Sequence, residues 1–169
     1  MDPDKVMMWI GAIMLTILAL ILITPFCYEP GTFIGLDGRA STIDRDWSGY
    51  GAGGIIYALG DLICHQEESR TLILNGNEMA ICIRDLAMLI GFVSGCAISL
   101  LTGERFLDRK ALIAAFIMFA LTPLEWVVEQ TTDLDSSALR MILGIVSGIG
   151  IAILLSIFLR KMGPKPLEV

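Results

Sequence analysis

Long apolar segments alternate with short polar links along most of this chain. The first segment, Val6–Phe26, contains no charged residue and has the length of about 20 residues that a helix needs to cross roughly 30 Å of hydrocarbon. Three more apolar segments follow at Leu86–Thr102, Ala111–Val127 and Met141–Leu159. The pattern therefore predicts an all-α fold, a polytopic membrane helical bundle with about four transmembrane helices.

A cleaved signal peptide is the alternative for the first segment. Its apolar region would be about 7–15 residues long and followed by small residues. Here Pro25 and Phe26 stand directly before Cys27, which disfavours both cleavage and lipid modification of that cysteine. We interpret the segment as an uncleaved anchor.

Tyr50–Ile63 is a weaker apolar stretch, too short to cross the membrane comfortably, and it carries Asp61. We expect a partial or interfacial helix there. The alternative is a fifth span that begins at Trp47. Gly31–Gly54 is rich in turn residues and predicts a surface loop.

The composition supports a membrane protein. Of the 169 residues, 55% are hydrophobic, and the mean hydropathy of +0.73 is too high for a water-soluble domain of this size. We therefore expect membrane lipids as partners, and the net charge of −6 argues against nucleic acid. We expect two domains: residues 1–49, an anchor helix with an external loop, and residues 50–169, a membrane domain with a cluster of polar motifs.

Basic residues orient the predicted bundle. They concentrate in the link after the second long segment and in the tail after the fourth, as they do in cytoplasmic segments. These residues are Arg105, Arg109, Lys110, Arg160, Lys161 and Lys165. In contrast, Cys27–Asp85 has no lysine, and its four arginines are outnumbered by nine acidic residues. We expect a multi-pass protein of the cell membrane with both termini cytoplasmic and the loops around Cys64 and Asp133 outside.

Two of the long segments carry the spacing G-x-x-x-G, one at Gly91 and Gly95 and the other at Gly144 and Gly148. Glycine at this spacing lets two helix backbones approach closely. We expect these helices to pack against neighbours through their glycine faces, and a homo-oligomer could form in the same way. The alternative is that glycine is simply frequent in membrane helices.

Polar residues gather at one end of the predicted bundle. Cys64 and His65 end the partial helix, while Cys82, Arg84 and Asp85 stand where the second long segment begins. A third group surrounds the link between the last two segments: Glu125, Glu129, Gln130, Asp133, Asp135, Ser136, Ser137 and Arg140. With the predicted number of spans, all three groups meet at the outer membrane face.

Three stretches, CHQEESRT, GNEMAICIRDLAMLIG and TPLEWVVEQTTDLDSSALRMILG, resemble in order and spacing a family of small prokaryotic membrane proteins of unknown function. The family signature runs Cys-His-Gln, a nearby Glu-Arg-Ser, Cys-x-Arg-Cys before a glycine-rich helix, then Pro-x-x-Asp-Gly and Ser-Asn-x-x-Arg. The resemblance covers roughly Ile63–Gly148 and implies membership without implying an activity. Asp85 stands where the family has its third cysteine, Ser69 where it has glutamate, and Glu125-Trp126 where it has Asp-Gly.

The residues of the first two polar groups suit a metal ion. Two sulfurs, one imidazole and one carboxylate form a ligand set that fits tetrahedral zinc. These ligands are Cys64, His65, Cys82 and Asp85. Because Asp85 replaces a family cysteine with another competent ligand, the exchange favours a metal over a disulfide scaffold. Helical spacing places Asp61, Cys64, His65 and Glu68 on one face, so we expect Asp61 to orient the imidazole of His65.

Disulfide bonding is the alternative to a metal at these cysteines. Cys64 and Cys82 would both lie on the outer face, where an oxidising environment permits a bond between them, and Cys27 is a third partner for either. Cys96 lies in the middle of a predicted span and is expected to pack as a small apolar side chain.

Three classes of function remain open. The first is a metal-dependent enzyme that acts on a lipid or lipid-linked substrate, with Glu125 or Glu129 as the catalytic base. In this class Arg84 and Arg140 would bind an anionic head group or pair with Glu125. The second is a non-catalytic membrane protein in which a structural metal or disulfide clamps three helices together. The third is a small transporter that works as an oligomer.

Overall fold

The computed structural model describes residues 2–36, 41–43, 45–66, 68–103, 108–132 and 136–162. Several residues that entered the sequence predictions lie outside these ranges: Asp37, Asp44, Glu67, Arg105, Asp133, Asp135 and Lys165. The helices are α1 (Pro3–Ile23), α2 (Gly51–Ile63), α3 (Ile83–Thr102), α4 (Arg109–Thr131) and α5 (Ser137–Met162), and the strands are β1 (Thr71–Leu74) and β2 (Asn77–Cys82).

The predicted bundle of four spans is confirmed. Among the described residues, four helices are long and apolar enough to cross a membrane: α1 with the 3-10 turn Thr24–Cys27 that follows it, α3, α4 and α5. α2 has 13 residues, or about 20 Å at 1.5 Å per residue, so it is too short to be a span. Within the part of the chain that the structure describes, the fold is all-α except for one antiparallel hairpin.

The hairpin was not predicted, although its turn has a sequence signal. Asn75 and Gly76 connect β1 to β2, and both have positive φ angles, 52° and 70°. A two-residue Asn-Gly loop with this geometry matches the right-handed twist of paired strands. The hairpin brings Cys82 at the end of β2 back opposite Thr71.

The chain forms two compact units. The first comprises Met1–Leu15 and Ala87–Val169, and the second comprises Thr16–Leu86. The domain boundary expected at residues 49 and 50 stays a prediction.

Glycine lets α3 and α5 approach closely in the first unit. A Cβ atom on Gly91 would lie 2.1 Å from the carbonyl oxygen of Ile145, and one on Gly148 would lie 2.1 Å from that of Met88. A Cβ on Gly95 would lie 2.7 Å from the Cβ of Ala152. The prediction of glycine-faced packing is therefore confirmed within the chain, whereas a homo-oligomer stays a prediction.

A proline inside α4 is accommodated by α5. Pro123 has no N–H and so leaves the carbonyl of Phe119, four residues earlier, without its helical donor. The hydroxyl of Ser147 on α5 donates to this carbonyl at 2.9 Å, and Ser147 is almost completely buried. This hydrogen bond replaces the one that Pro123 cannot make, as neighbouring helices commonly do in membranes.

The second unit has its own hydrophobic core, and the expectation that Gly31–Gly54 is a surface loop was wrong for its apolar members. Phe33, Leu36 and Trp47 are buried there with Tyr57 of α2. The rings of Phe33 and Tyr57 stack at a centroid distance of 3.9 Å. Burial of large aromatic rings offsets the cost of ordering the segment.

Two polar side chains of β2 hold this segment in place. Asn77 accepts from the N–H of Phe33 at 3.0 Å, and its amide donates to the carbonyl of Pro25 at 2.9 Å. The buried carboxylate of Glu78 accepts from the N–H groups of Gly35 and Leu36, at 2.6 and 2.9 Å. Buried polar groups are stable only when they are paired in this way.

Candidate functional site

Three of the four predicted ligands lie together at the point where α2, β2 and α3 meet. Cys64 follows the last residue of α2, Cys82 ends β2, and Asp85 is in the first turn of α3. Their ligand atoms all lie within 4.8 Å of one another. We call these three residues the Cys-Cys-Asp cluster.

Local backbone structure aims Cys64 into the cluster. α2 ends at Ile63, and Cys64 has an extended conformation with φ −133° and ψ 152°. Its N–H still donates to the carbonyl of Gly60 at 2.8 Å, which anchors the position of the residue at the end of the helix. The side chain of Cys64 is buried, whereas that of Asp85 is half-buried.

Hydrogen bonds already connect the cluster. The N–H of Cys82 donates to Sγ of Cys64 at 3.2 Å, and the thiol of Cys82 donates to Oδ2 of Asp85 at 3.2 Å. All four cysteines of the chain, including the exposed Cys27 and the buried Cys96, are free thiols.

The pKa values of the two thiols are shifted in opposite directions. The neighbouring Cys82 thiol lowers the pKa of Cys64, and backbone N–H groups of Gln66 and Cys82 act in the same direction against the effects of burial and of the Asp85 carboxylate. The pKa of Cys82 is raised, first by the neighbouring Cys64 and then by burial and the Asp85 carboxylate. Cys64 is therefore the residue of the pair that becomes a thiolate first.

His65 lies outside this group of three, and the expected shared helical face of Asp61, Cys64, His65 and Glu68 was wrong. Because α2 ends at Ile63, the residues after it do not continue the helical spacing. Consecutive side chains of an extended chain point to opposite sides, so Cys64 is buried while His65 is exposed. Oδ2 of the buried Asp61 accepts from the indole N–H of Trp47 at 2.6 Å.

Gln66 is a site residue that the sequence prediction missed. It is completely buried, has a positive φ of 51°, and its amide donates to the carbonyls of Ala80 and Tyr57, at 2.8 and 3.3 Å. These bonds tie the segment after α2 to β2 and so hold Cys64 near Cys82. Its place in the Cys-His-Gln motif was the available signal.

Three residues that the sequence predicted as bases or anion ligands, Glu125, Glu129 and Arg140, lie on α4 and α5 in the first unit. Arg140 in the first turn of α5 is buried and forms a salt bridge with Glu129 of α4, whose side chain is 7% exposed. Glu125 is also buried. Both carboxylates line a groove of about 190 Å³ between α4 and α5, whose other walls are leucine and valine side chains. Arg84 is half-buried in the first turn of α3, in the second unit.

Comparison with known proteins connects the Cys-Cys-Asp cluster to a family. The family model described as "Predicted membrane protein (DUF2085)" matches residues 64–154, more than half of the 169 residues. The match begins at Cys64 and includes Cys82 and Asp85. No curated protein and no solved structure matches the chain. The chain belongs to the DUF2085 family of predicted membrane proteins.

Proposed function

We propose that this membrane protein binds a zinc ion through the Cys-Cys-Asp cluster and uses it to activate water in a reaction on a lipid or lipid-linked substrate. One observation carries the proposal: the ligand atoms of Cys64, Cys82 and Asp85, which come from three different parts of the fold, all lie within 4.8 Å of one another. The ligands of this proposal all lie in the second unit, whereas Glu125, Glu129 and Arg140 lie in the first and stay predicted as base and anion-binding residues.

The separation of the donor atoms fits zinc. In a tetrahedral site with bonds of about 2.0–2.3 Å, neighbouring ligand atoms lie roughly 3.3–3.8 Å apart. Atoms that are at most 4.8 Å apart reach this geometry with shifts of about 1 Å, which side-chain rotation supplies. Thiolate sulfur selects zinc over magnesium or calcium, which prefer oxygen ligands.

Hydrogen bonds around Cys64 favour the ionised form that a metal requires. Its sulfur accepts from the N–H of Cys82 at 3.2 Å and from the backbone of Gln66. Only the thiolate coordinates zinc, and N–H donors to sulfur stabilise that charge. The same donors orient the ligand before the metal arrives.

Three protein ligands leave the fourth tetrahedral position for water. Catalytic zinc sites commonly have this arrangement, and zinc lowers the pKa of the bound water to about 7. A zinc ion held by Cys64, Cys82 and Asp85 would supply a nucleophilic water for hydrolysis, in which an ester, amide or phosphate bond of the substrate is broken and its leaving group takes up the proton of that water. Exposed His65, next to Cys64, would instead close the site if its ring turned toward the metal.

A structural clamp is the second candidate function. The three ligands come from the end of α2, the end of β2 and the start of α3, so one ion would fasten all three elements. A closed site with His65 as its fourth ligand would stabilise the fold without catalysing a reaction.

Zinc content of the purified protein tests the proposal. We expect stoichiometric zinc in the wild type, a loss of zinc in Asp85→Ala and its recovery in Asp85→Cys, because cysteine restores a ligand at that position. Cys27→Ser is the matched control, since this exposed cysteine lies outside the cluster, and it should retain zinc.

Other outcomes would reject the proposal in distinct ways. Wild-type protein without zinc, in which thiol titration finds Cys64 and Cys82 oxidised, would establish the disulfide. Zinc retained equally in Asp85→Ala and Asp85→Cys would show that Asp85 is not a ligand. A His65→Ala variant that keeps its zinc favours the open site over the closed clamp.

A further inference from the structure

α2 presents a partly exposed apolar face within the described structure. Ile55, Leu59, Leu62 and Ile63 are 63%, 48%, 46% and 66% exposed. Their spacing of four, three and one residues places them on one stripe of the helix. The opposite side is buried and consists of Gly53, Gly54, Tyr57, Gly60 and Asp61. We call the exposed stripe the α2 apolar face.

A groove lies beside this face, between α2 and the end of α1. Its volume is about 350 Å³, and its walls include Leu20 and Ile23 of α1 with Ala52, Ile55 and Ile56 of α2. The volume falls within the range of roughly 300–1,000 Å³ that is typical of small-molecule sites. The lining is almost entirely apolar, so the groove suits a hydrocarbon chain.

One wall of the groove continues a surface that faces lipid. α1 is a candidate membrane span, and Leu20 and Ile23 near its end are 46% and 58% exposed. Lipid that covers these two residues reaches Ile55 on the opposite wall without crossing a polar surface. This continuity identifies the bilayer as the source of the occupant.

Tyr28 holds the groove in shape. Its hydroxyl donates to the carbonyl of Tyr50 at 2.5 Å and accepts from the N–H of Gly53 at 3.1 Å, so it binds the first turn of α2 to the segment after α1. A Cβ atom on Gly53 would lie 2.2 Å from this hydroxyl. Glycine at position 53 is therefore what permits the close approach.

We propose that the α2 apolar face lies in the acyl layer of the membrane and that the groove beside it binds the acyl chain of a phospholipid. A helix too short to span, with one apolar face and a buried opposite face, adopts such an interfacial position. The α2 apolar face runs from Ile55 beside the groove to Ile63, which Cys64 follows, so about 12 Å of apolar helix surface connects the groove to the Cys-Cys-Asp cluster. The proposal does not depend on zinc, but with zinc bound it makes a membrane lipid the substrate.

Photo-crosslinking in native membranes tests the position of the face. The photoreactive residue p-benzoylphenylalanine replaces Ile55 or Leu59 in the full chain. Replacement of Phe116, which is 61% exposed on the span α4, is the lipid-facing control. Replacement of the exposed Glu68 is the polar control. Mass spectrometry should find phospholipid adducts at Ile55 and Leu59 as abundant as those at Phe116, and at least tenfold fewer at Glu68. A crosslink to a second copy of the chain, or no adduct where Phe116 gives one, would overturn the proposal.

Filling the groove tests the bound chain. Ala52→Trp should lower by one the number of phospholipids that co-purify, counted by native mass spectrometry, whereas Ala114→Trp on the exposed side of α4 should leave that number unchanged. Ala52→Leu provides the same comparison with a smaller side chain if the tryptophan variant does not fold. Unchanged lipid in Ala52→Leu would exclude the groove. Repeating both measurements after chelation separates failure of the lipid site from failure of the zinc site.

Discussion

Removing the hydroxyl of Ser147 should destabilise the first unit because of a proline on another helix. The hydroxyl donates to the carbonyl of Phe119 at 2.9 Å, and this carbonyl has lost its helical donor to Pro123. In Ser147→Ala the carbonyl would have no donor in a buried environment. The free energy of unfolding should therefore fall.

The expected loss is about 1–2 kcal/mol. A buried polar group left without a partner costs roughly 1–3 kcal/mol in proteins generally. Side-chain hydrogen bonds between membrane helices are weaker, averaging about 0.6 and reaching about 1.7 kcal/mol. Ser147 is only 1% exposed, so no solvent replaces its hydroxyl, and the loss should lie near the upper end of the membrane range.

A double-mutant cycle separates this cause from general loss of packing. Pro123→Ala restores an N–H that can donate to Phe119, so Ser147→Ala should cost less than about 0.5 kcal/mol in that background. Ser94→Ala is the matched control, because its hydroxyl donates to the carbonyl of Ile90 in its own helix, where the backbone donor is still present.

Equilibrium unfolding in mixed detergent, followed by circular dichroism, measures the four variants of the cycle and the control. If Ser147→Ala costs the same with and without Pro123, the two residues are not coupled and the explanation from the missing N–H is incorrect. A loss in Ser94→Ala as large as that in Ser147→Ala would also contradict it.

Two further changes test the packing and the charges of the same unit. Gly148→Ala should lower the melting temperature markedly, because the new Cβ would lie 2.1 Å from the carbonyl oxygen of Met88. Gly49→Ala is the control and should not lower it, since a Cβ at this position would have nothing within 4 Å. Equal melting temperatures of the two variants would disprove close helix packing. Arg140→Ala should cost about 3–5 kcal/mol by removing the guanidinium from the buried carboxylate of Glu129, and unchanged chemical unfolding would show that the salt bridge does not contribute.

Much of the candidate site could be predicted from residue chemistry alone. Cys64, Cys82 and Asp85 were predicted as metal ligands because two sulfurs and a carboxylate suit zinc, and the structure brings these three side chains together. Their convergence follows from the chain turning back between α2 and α3. The exposure of His65 could not be predicted, because it depends on the exact residue at which α2 ends and the backbone becomes extended.

By itself, the sequence determined the membrane architecture. A helix in hydrocarbon satisfies its own backbone hydrogen bonds, so the length and apolarity of a segment are sufficient to identify a span. The glycine spacing likewise identified residues where backbones meet, since the absence of a Cβ atom is a property of the residue itself.

Only the tertiary structure decided how the polar and aromatic residues are used. Asp61 accepts from the indole N–H of Trp47 and Glu129 pairs with Arg140, and neither partner could be read from spacing along the chain. A hydrogen-bond partner can come from any segment that folding brings near, because the entropic cost of closing the intervening loop grows only slowly with its length. Burial of the segment around Phe33 has the same origin, because its hydrophobic partners lie on α2 and β2 rather than beside it in the sequence.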